Sequence, residues 1–434
     1  MMRACGLFTL AILLCFTASA QEKPHAFRGA TIIPIEGETI QNGVLLVQYG
    51  KILAVGKAGD VRIPADAVVQ DATGKVVFPG IVDTHSHLGD GSGADGSAAL
   101  QPDVRILDAI NVRSEDFKKA LAGGVTTLNV MPGSGHLMSG QTAYLKIRPA
   151  NTINDMLFCK DPLNDVCGGM KMANGTNSIR PSPFPGTRAK SAAMVRSLFI
   201  KAQEYKAKID SAQGDASKMP KRELDMEALV QVLEGKRVVH HHTHRHDDVL
   251  TVLRLAKEFG FRVVLQHVSE AWKVAKEIAE AGVPCSIIMI DSPGGKLEAV
   301  DLLWKNAPAL EQAGVLTGFH TDDGITDSRL FLRSAARGVR AGMSRQKALE
   351  GMTIAGAKML DLQDRIGSLK PGKDADFVIL SGDPLSVYTH IEQTWVEGQK
   401  MFDRSNPEDK KIATGGFNAF RSTSFLDACE GGAE

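Results

Sequence analysis

The chain has 434 residues, 43% hydrophobic and 23% charged, which is ordinary globular chemistry and room for a large domain with a satellite. Fifty basic and fifty acidic residues cancel, so no global field favours nucleic acid or an anionic membrane. No Cys-x-x-Cys pair occurs, which leaves cysteine-based zinc or redox chemistry without support.

The first twenty residues, "MMRACGLFTLAILLCFTASA", carry one arginine, an apolar run from Leu7 to Phe16, and Ala18-Ser19-Ala20 before Gln21. This pattern predicts a cleaved signal peptide, too short for a stable membrane anchor, and hence a secreted protein, periplasmic or extracellular, starting near Gln21. Without Cys5 and Cys15, four cysteines remain. Cys159 and Cys167 flank "KDPLND", a turn-like stretch that would allow a disulfide outside the cytosol. Cys285 lies in an apolar run and is expected as a buried thiol; Cys429 lies in a Gly-rich tail.

Next come "GATIIPIEG", "GVLLVQYGKILAVG" and "AVVQDATGKVVFPG", alternating strands with Gly and Asp punctuation, which read as a small β domain. "GSLKPGKDADFVILSGDP" and "IEQTWVEGQKMF" look alike near the other end. Between them, helical stretches alternate with apolar strands: "DVLTVLRLAKEFG" leads to "FRVVLQHV", "EAWKVAKEIAEAG" to "VPCSIIMI", and "AVDLLWKNAPALEQAG" to "VLTGFHTDD". That rhythm predicts parallel strands with helical crossovers, and its length suits a closed barrel. No Gly-rich dinucleotide fingerprint follows an early strand.

The strongest chemical signal is "VFPGIVDTHSHLG". His85 and His87 end an apolar strand two residues apart, so both imidazoles face the same side, which at the C-terminal rim of a barrel is the active-site mouth. Two imidazoles there make half of a zinc-type site. In "RVVHHHTH" the same alternation puts His240, His242 and His244 on one face and His241 on the other. His267 closes "VVLQHV", and "GFHTDDG" offers Asp322, with His320 on its face and Asp323 opposite.

"FPGIVDTHSH", a strand histidine about 155 residues on, another about 25 later, and a late "TDD" together resemble the metal-dependent amidohydrolase superfamily. "HTHRHDDVLTVLRLAKEFGFRVVLQHVSEA" and "DRIGSLKPGKDADFVILSGDP" look most like its imidazolonepropionase-related branch. The resemblance covers almost all of the chain after the signal. It implies an α/β fold, a distorted (β/α)8 TIM-type barrel plus a small β-sandwich built from both chain ends. The expected division is 1–20 signal peptide, 21–78 first sandwich part, 79–360 barrel, 361–405 second sandwich part and 406–434 tail.

The resemblance also implies the ligands: His85, His87, His242, His267 and Asp322. Many binuclear members bridge two cations with a lysine carboxylated by carbon dioxide. Lys171 in "GGMKMANG" matches that position, with Lys146 in "AYLKIR" as its rival. If neither bridges, a mononuclear site remains. One or two divalent metals per chain are expected, zinc foremost, with Asp322 moving the proton. His136 in a Gly-rich loop, Asn174, His244 and Arg245 are candidate substrate contacts, and His246 is expected at the surface. The function read from this is hydrolysis of amide or related C–N bonds of small molecules such as dipeptides or N-acyl amino acids. Deaminase or cyclic-amide chemistry is the enzymatic alternative. An inactive binding or scaffold barrel, or a metal-buffering histidine tract, is the non-enzymatic one. A homo-oligomer is compatible with the resemblance.

Overall fold

The computed structural model describes residues 22–89, 91, 95–290, 296–415 and 419. The expected signal peptide, its cleavage point, Cys429 and most of the tail lie outside the described residues. The first five strands are β1 (His25–Ile32), β2 (Ile40–Gln48), β3 (Lys51–Lys57), β4 (Val68–Asp71) and β5 (Val76–Pro79). The next four are β6 (Ile81–Ser86), β7 (Val125–Val130), β8 (Met138–Gln141) and β9 (Ala143–Lys146). Then follow β10 (Met170–Ala173), β11 (Val239–Thr243), β12 (Val263–His267), β13 (Cys285–Ile287) and β14 (Thr317–Phe319), and finally β15 (Phe377–Leu380), β16 (Ile391–Val396) and β17 (Gln399–Asp403).

The two chain ends share one eight-stranded sheet in the order β17-β16-β15-β5-β1-β2-β3, with β4 also on β1. Phe377 pairs with Pro79 and Leu380 with Val76, so the two β-rich segments meet directly. The β2–β3 turn at Tyr49-Gly50 has φ of 53° and 71°, the left-handed geometry a tight hairpin requires. Inside, Phe27 lies 4.9 Å from Phe377 and 5.0 Å from Trp395 by ring centroids. Burying each such side chain stabilises by about 1.5–3 kcal/mol. The expected two-layer sandwich is seen here as one continuous hydrogen-bonded sheet.

The central strands form two arcs. In one, β6 runs parallel to β7, with β9 antiparallel on β7. In the other, β10 to β14 are all parallel, with β8 antiparallel on β10. Helices Arg188–Ala212 and Leu224–Leu233 connect β10 to β11, His246–Phe259 connects β11 to β12, and Asn306–Gln312 precedes β14. The long charged stretch before β11 is two helices, broken at Gln213 and Gly214, both at positive φ. Every residue of β6, β7, β10, β11 and β12 is buried, as parallel strands covered on both faces are. The arcs meet at their far ends: Asp322 N–H donates to the His85 carbonyl at 3.0 Å and Thr321 N–H to the Asp83 carboxylate at 3.1 Å.

Lys146 ties the β-rich sheet to the central strands. Its ammonium is fully buried, 2.5 Å from Asp374, 3.0 Å from Asp376 and 3.2 Å from Glu397. Cys159 and Cys167 are joined in a disulfide, and Cys285 is a buried free thiol whose pKa burial pushes up. Among the described residues no helix is long and apolar enough to cross a membrane.

Candidate metal centre

The polar cluster sits where β6, β11, β12 and β14 end. Residues i and i+2 share a strand face, so His85 and His87 leave β6 on the same side, their rings 5.1 Å apart. His242 ends β11 with its ring 4.2 Å from that of His267, and His267 lies 4.7 Å from His85. His244 lies 4.7 Å from His242 and His320 4.6 Å from His267. Asp322 faces them: Oδ1 is 3.1 Å from His87 Nε2 and 3.6 Å from His85 Nε2, and Oδ2 is 3.9 Å from His267 Nε2.

These positions strain the backbone. His267 and Asp322 adopt φ of 68° and 48°, left-handed values that cost a non-glycine residue about 1–3 kcal/mol each. The turn at Asp322 also explains why the "VLTGFHTDD" strand ends at Phe319, before the residues it presents.

The donor set fits a divalent cation. Burial holds His85, His242 and His267 far below the usual imidazole range, with neighbouring positive groups reinforcing it, so they stay neutral, the form that ligates. Among the described residues, His85 Nδ1, His267 Nε2, His244 Nε2 and both nitrogens of His242 find no hydrogen-bond partner although buried. An unpaired buried polar group costs about 1–3 kcal/mol, which a bound ion would recover. Two ligands each about 2.0–2.1 Å from a tetrahedral ion lie about 3.3 Å apart, close to the spacing of Asp322 from His87 and His85.

Outer partners fix the rings. His87 Nδ1–H donates to the Met131 carbonyl at 2.8 Å, which turns Nε2 toward Asp322. His320 Nε2 is 3.2 Å from His267 Nδ1, and His320 Nδ1 meets Ser286 Oγ at 2.8 Å, which meets Thr84 Oγ1 at 2.6 Å. His244 Nδ1 meets Ser269 Oγ at 2.7 Å. Asp83, driven up to about 7 by burial against hydrogen bonds from Thr321, pins the segment before Asp322. Burial alone would raise the Asp322 carboxyl, but His87, His267 and His320 hold it well below the usual range, so it is ionised.

The structure thus brings together His85, His87, His242, His244, His267, His320 and Asp322. Lys171 joins them, with Nζ 3.0 Å from His85 Nε2 and 3.1 Å from Met131 Sδ. Lys146 does not; its three carboxylates hold it elsewhere. Asp323 turns away to Lys119 at 2.8 Å. His240 lies deeper, on Tyr144 at 2.9 Å and Gln266 at 3.2 Å, and His241 bonds the His242 carbonyl. Asn174 donates through its backbone to His242 O and through Nδ2 to Asp248 O. His136 packs 4.8 Å from Phe184 beside Arg180, and burial, then Arg180, lowers its pKa to about 4. Arg245 is drawn off by Asp247 at 2.8 Å, and the half-exposed His246 binds Glu270 at 2.6 Å; neither joins the cluster. No sequence feature marked Met131, whose carbonyl and sulfur reach His87 and Lys171. The lone Ser286 in "VPCSIIMI" was a cue, a polar residue inside an apolar strand.

A family model described as the amidohydrolase family matches residues 233–402. The solved structure of an amidohydrolase from Thermotoga maritima MSB8 is 34% identical, covers 87% of this chain and 100% of its own, and superposes with a TM-score of 0.81. The amidohydrolase tasK of Hapsidospora irregularis is 27% identical over 83% of this chain; the chain spans 40% of that relative's length. An imidazolonepropionase of Alkaliphilus metalliredigens is 22% identical over 85% of this chain and 92% of its own.

Proposed function

The chain belongs to the amidohydrolase family, in its imidazolonepropionase-related branch of metal-dependent hydrolases acting on carbon–nitrogen bonds, and from that premise we propose that it cleaves amide bonds of small molecules, dipeptides or N-acyl amino acids foremost. The observation that carries the reading is the convergence, on one ionised carboxylate, of buried imidazoles that each keep a ring nitrogen without a hydrogen-bond partner among the described residues. His85, His87, His242, His267 and Asp322 would hold the cation, zinc being the expected ion, and Lys171, once carboxylated, would supply an anionic bridge for a second. A divalent cation bound there supplies a Lewis acid that lowers the pKa of a water and polarises a substrate carbonyl.

The remaining work falls to the side chains. Asp322, ionised at neutral pH, accepts the water proton and returns it to the leaving nitrogen. The Met131 carbonyl fixes the His87 tautomer and Ser269 Oγ holds the His244 ring in place, so the site is set before substrate arrives. His136, beside Arg180, would contact substrate from the Gly-rich loop. In this reading the two arcs close as one distorted barrel and the eight-stranded sheet forms its sandwich. The N-terminal twenty residues and the Cys159–Cys167 disulfide support an exported protein.

The likeness to an imidazolonepropionase favours a second reading, ring opening of cyclic amides. Mass-spectrometric assay of the zinc-loaded protein on dipeptides, N-acyl amino acids, cyclic amides and aminopurines separates them. Turnover confined to the first two is expected. Turnover confined to cyclic amides or to ammonia release would replace the proposal.

A further inference from the structure

The turn Leu297–Ala299, between β13 and β14, inverts the usual placement of its residue types: Leu297 is 88% exposed, whereas Glu298 is buried at 6%. A carboxylate stays buried only when partners hold it. One of its oxygens has them. Oε2 accepts from Thr176 N–H at 2.8 Å and from Arg188 Nη2 at 3.2 Å. Gly175, at φ 71°, lets the chain pass so close that a Cβ there would stand 2.6 Å from Oε2. The other oxygen has none: Oε1 is buried without a hydrogen-bond partner among the described residues.

That carboxylate stands at the edge of the metal centre. A Glu298 oxygen, one ring nitrogen of His242 and one of His244 lie within 4.8 Å of one another. We propose that Glu298 takes the free α-ammonium of a dipeptide substrate, and so directs the enzyme to peptides with an unblocked amino terminus. The inference rests on the amide-cleavage reading and deepens it by choosing between its two substrate classes.

Charge favours an ammonium there. Arg188 also binds Asp248, Nε to Oδ2 at 2.8 Å, so one guanidinium serves two buried carboxylates. Lys296, whose charge is felt at both imidazoles, makes no ion pair with Glu298 among the described residues and does not supply the missing cation. Distance favours it too. The α-nitrogen of a dipeptide is two bonds, about 2.5 Å, from the scissile carbonyl carbon. A substrate whose carbonyl reaches the histidines therefore brings its ammonium beside them, where the Glu298 carboxylate lies. An N-acyl amino acid carries no positive charge at that position and leaves the buried oxygen unpaired.

The test compares the zinc-loaded full chain on alanyl-, leucyl- and phenylalanyl-alanine with its action on their desamino counterparts, in which hydrogen replaces the ammonium. Wild type should favour the dipeptide of at least one pair by about 10–100-fold in kcat/KM, the worth of a hydrogen bond to a charged group. Glu298→Gln should lose that factor on the same dipeptide, change by less than about threefold on its counterpart, and keep the wild-type zinc content. Calorimetric titration with the ketomethylene analogue of that dipeptide, which cannot be cleaved, should show the same loss of affinity. A wild type that treats every pair alike, or prefers the desamino member, overturns the inference and leaves amide cleavage standing, whether or not the variant folds. So does a folded Glu298→Gln that loses equally on both members or loses zinc. No turnover of any of the six overturns the amide-cleavage reading, and the inference falls with it.

Discussion

Around Lys146, one buried ammonium meets Asp374, Asp376 and Glu397, each within 3.2 Å, and Arg148 and Arg365 complete the carboxylates. Around His242, buried imidazoles meet one another and leave several ring nitrogens without hydrogen-bond partners among the described residues. Both clusters are polar, buried and built from several elements. The first is neutralised within the protein, as a structural network is; a buried charge persists only when paired. The second is unsatisfied on its inner side and well supported on its outer side, which is how a protein builds a place for something it does not itself contain. The direction in which polar atoms are left open, more than their burial, separates a binding centre from a fastening.

Three changes sharpen that contrast. Asp322→Asn removes the proton carrier and should lower turnover by about 10²–10⁴-fold while circular dichroism stays native; a variant within tenfold of wild type would remove Asp322 from its role. Lys146→Met removes the central cation from Asp374, Asp376 and Glu397 and should destabilise by about 3–5 kcal/mol in denaturant titration, with zinc per folded chain unchanged. Zinc loss there would mean that the two clusters are one system.

The smallest effect concerns Glu270, which fastens the loop after His267. Burial opposes its charge, but Lys273 and the His246 N–H overcome that and lower its pKa to about 2. A folded pKa below the unfolded value near 4.3 means stability present above about pH 4.3 and lost as pH falls toward 2. Glu270→Gln should therefore lower Tm at pH 7, and the gap should narrow as pH falls below about 4.3. A gap independent of pH would show that its charge does not matter.

Much of this site was legible because strand ends announce themselves. An apolar run fixes the strand, its period of two fixes the face, and a terminal histidine or aspartate then has one place to go. His85, His87, His242, His267 and Asp322 all follow that logic. Lys171 is the lysine the resemblance favours, with Lys146 its rival, since both sit among apolar residues. Strand direction decides between them. β9 runs antiparallel to β7, so Lys146 pairs with Thr127, far from the Val130–Met131 end that meets His87. Lys171 lies level with His240 in a parallel pair, near the cluster. Met131 was illegible for another reason: it acts through its backbone carbonyl and its sulfur, and neither is marked by an apolar residue in sequence.

The most direct test of the central claim is the zinc content and thermal stability of wild-type protein before and after chelation. At least one tightly held divalent ion per chain is expected, lost with a chelator, with Tm falling and recovering when zinc returns. A protein that purifies without metal and whose Tm is unmoved by zinc would contradict it.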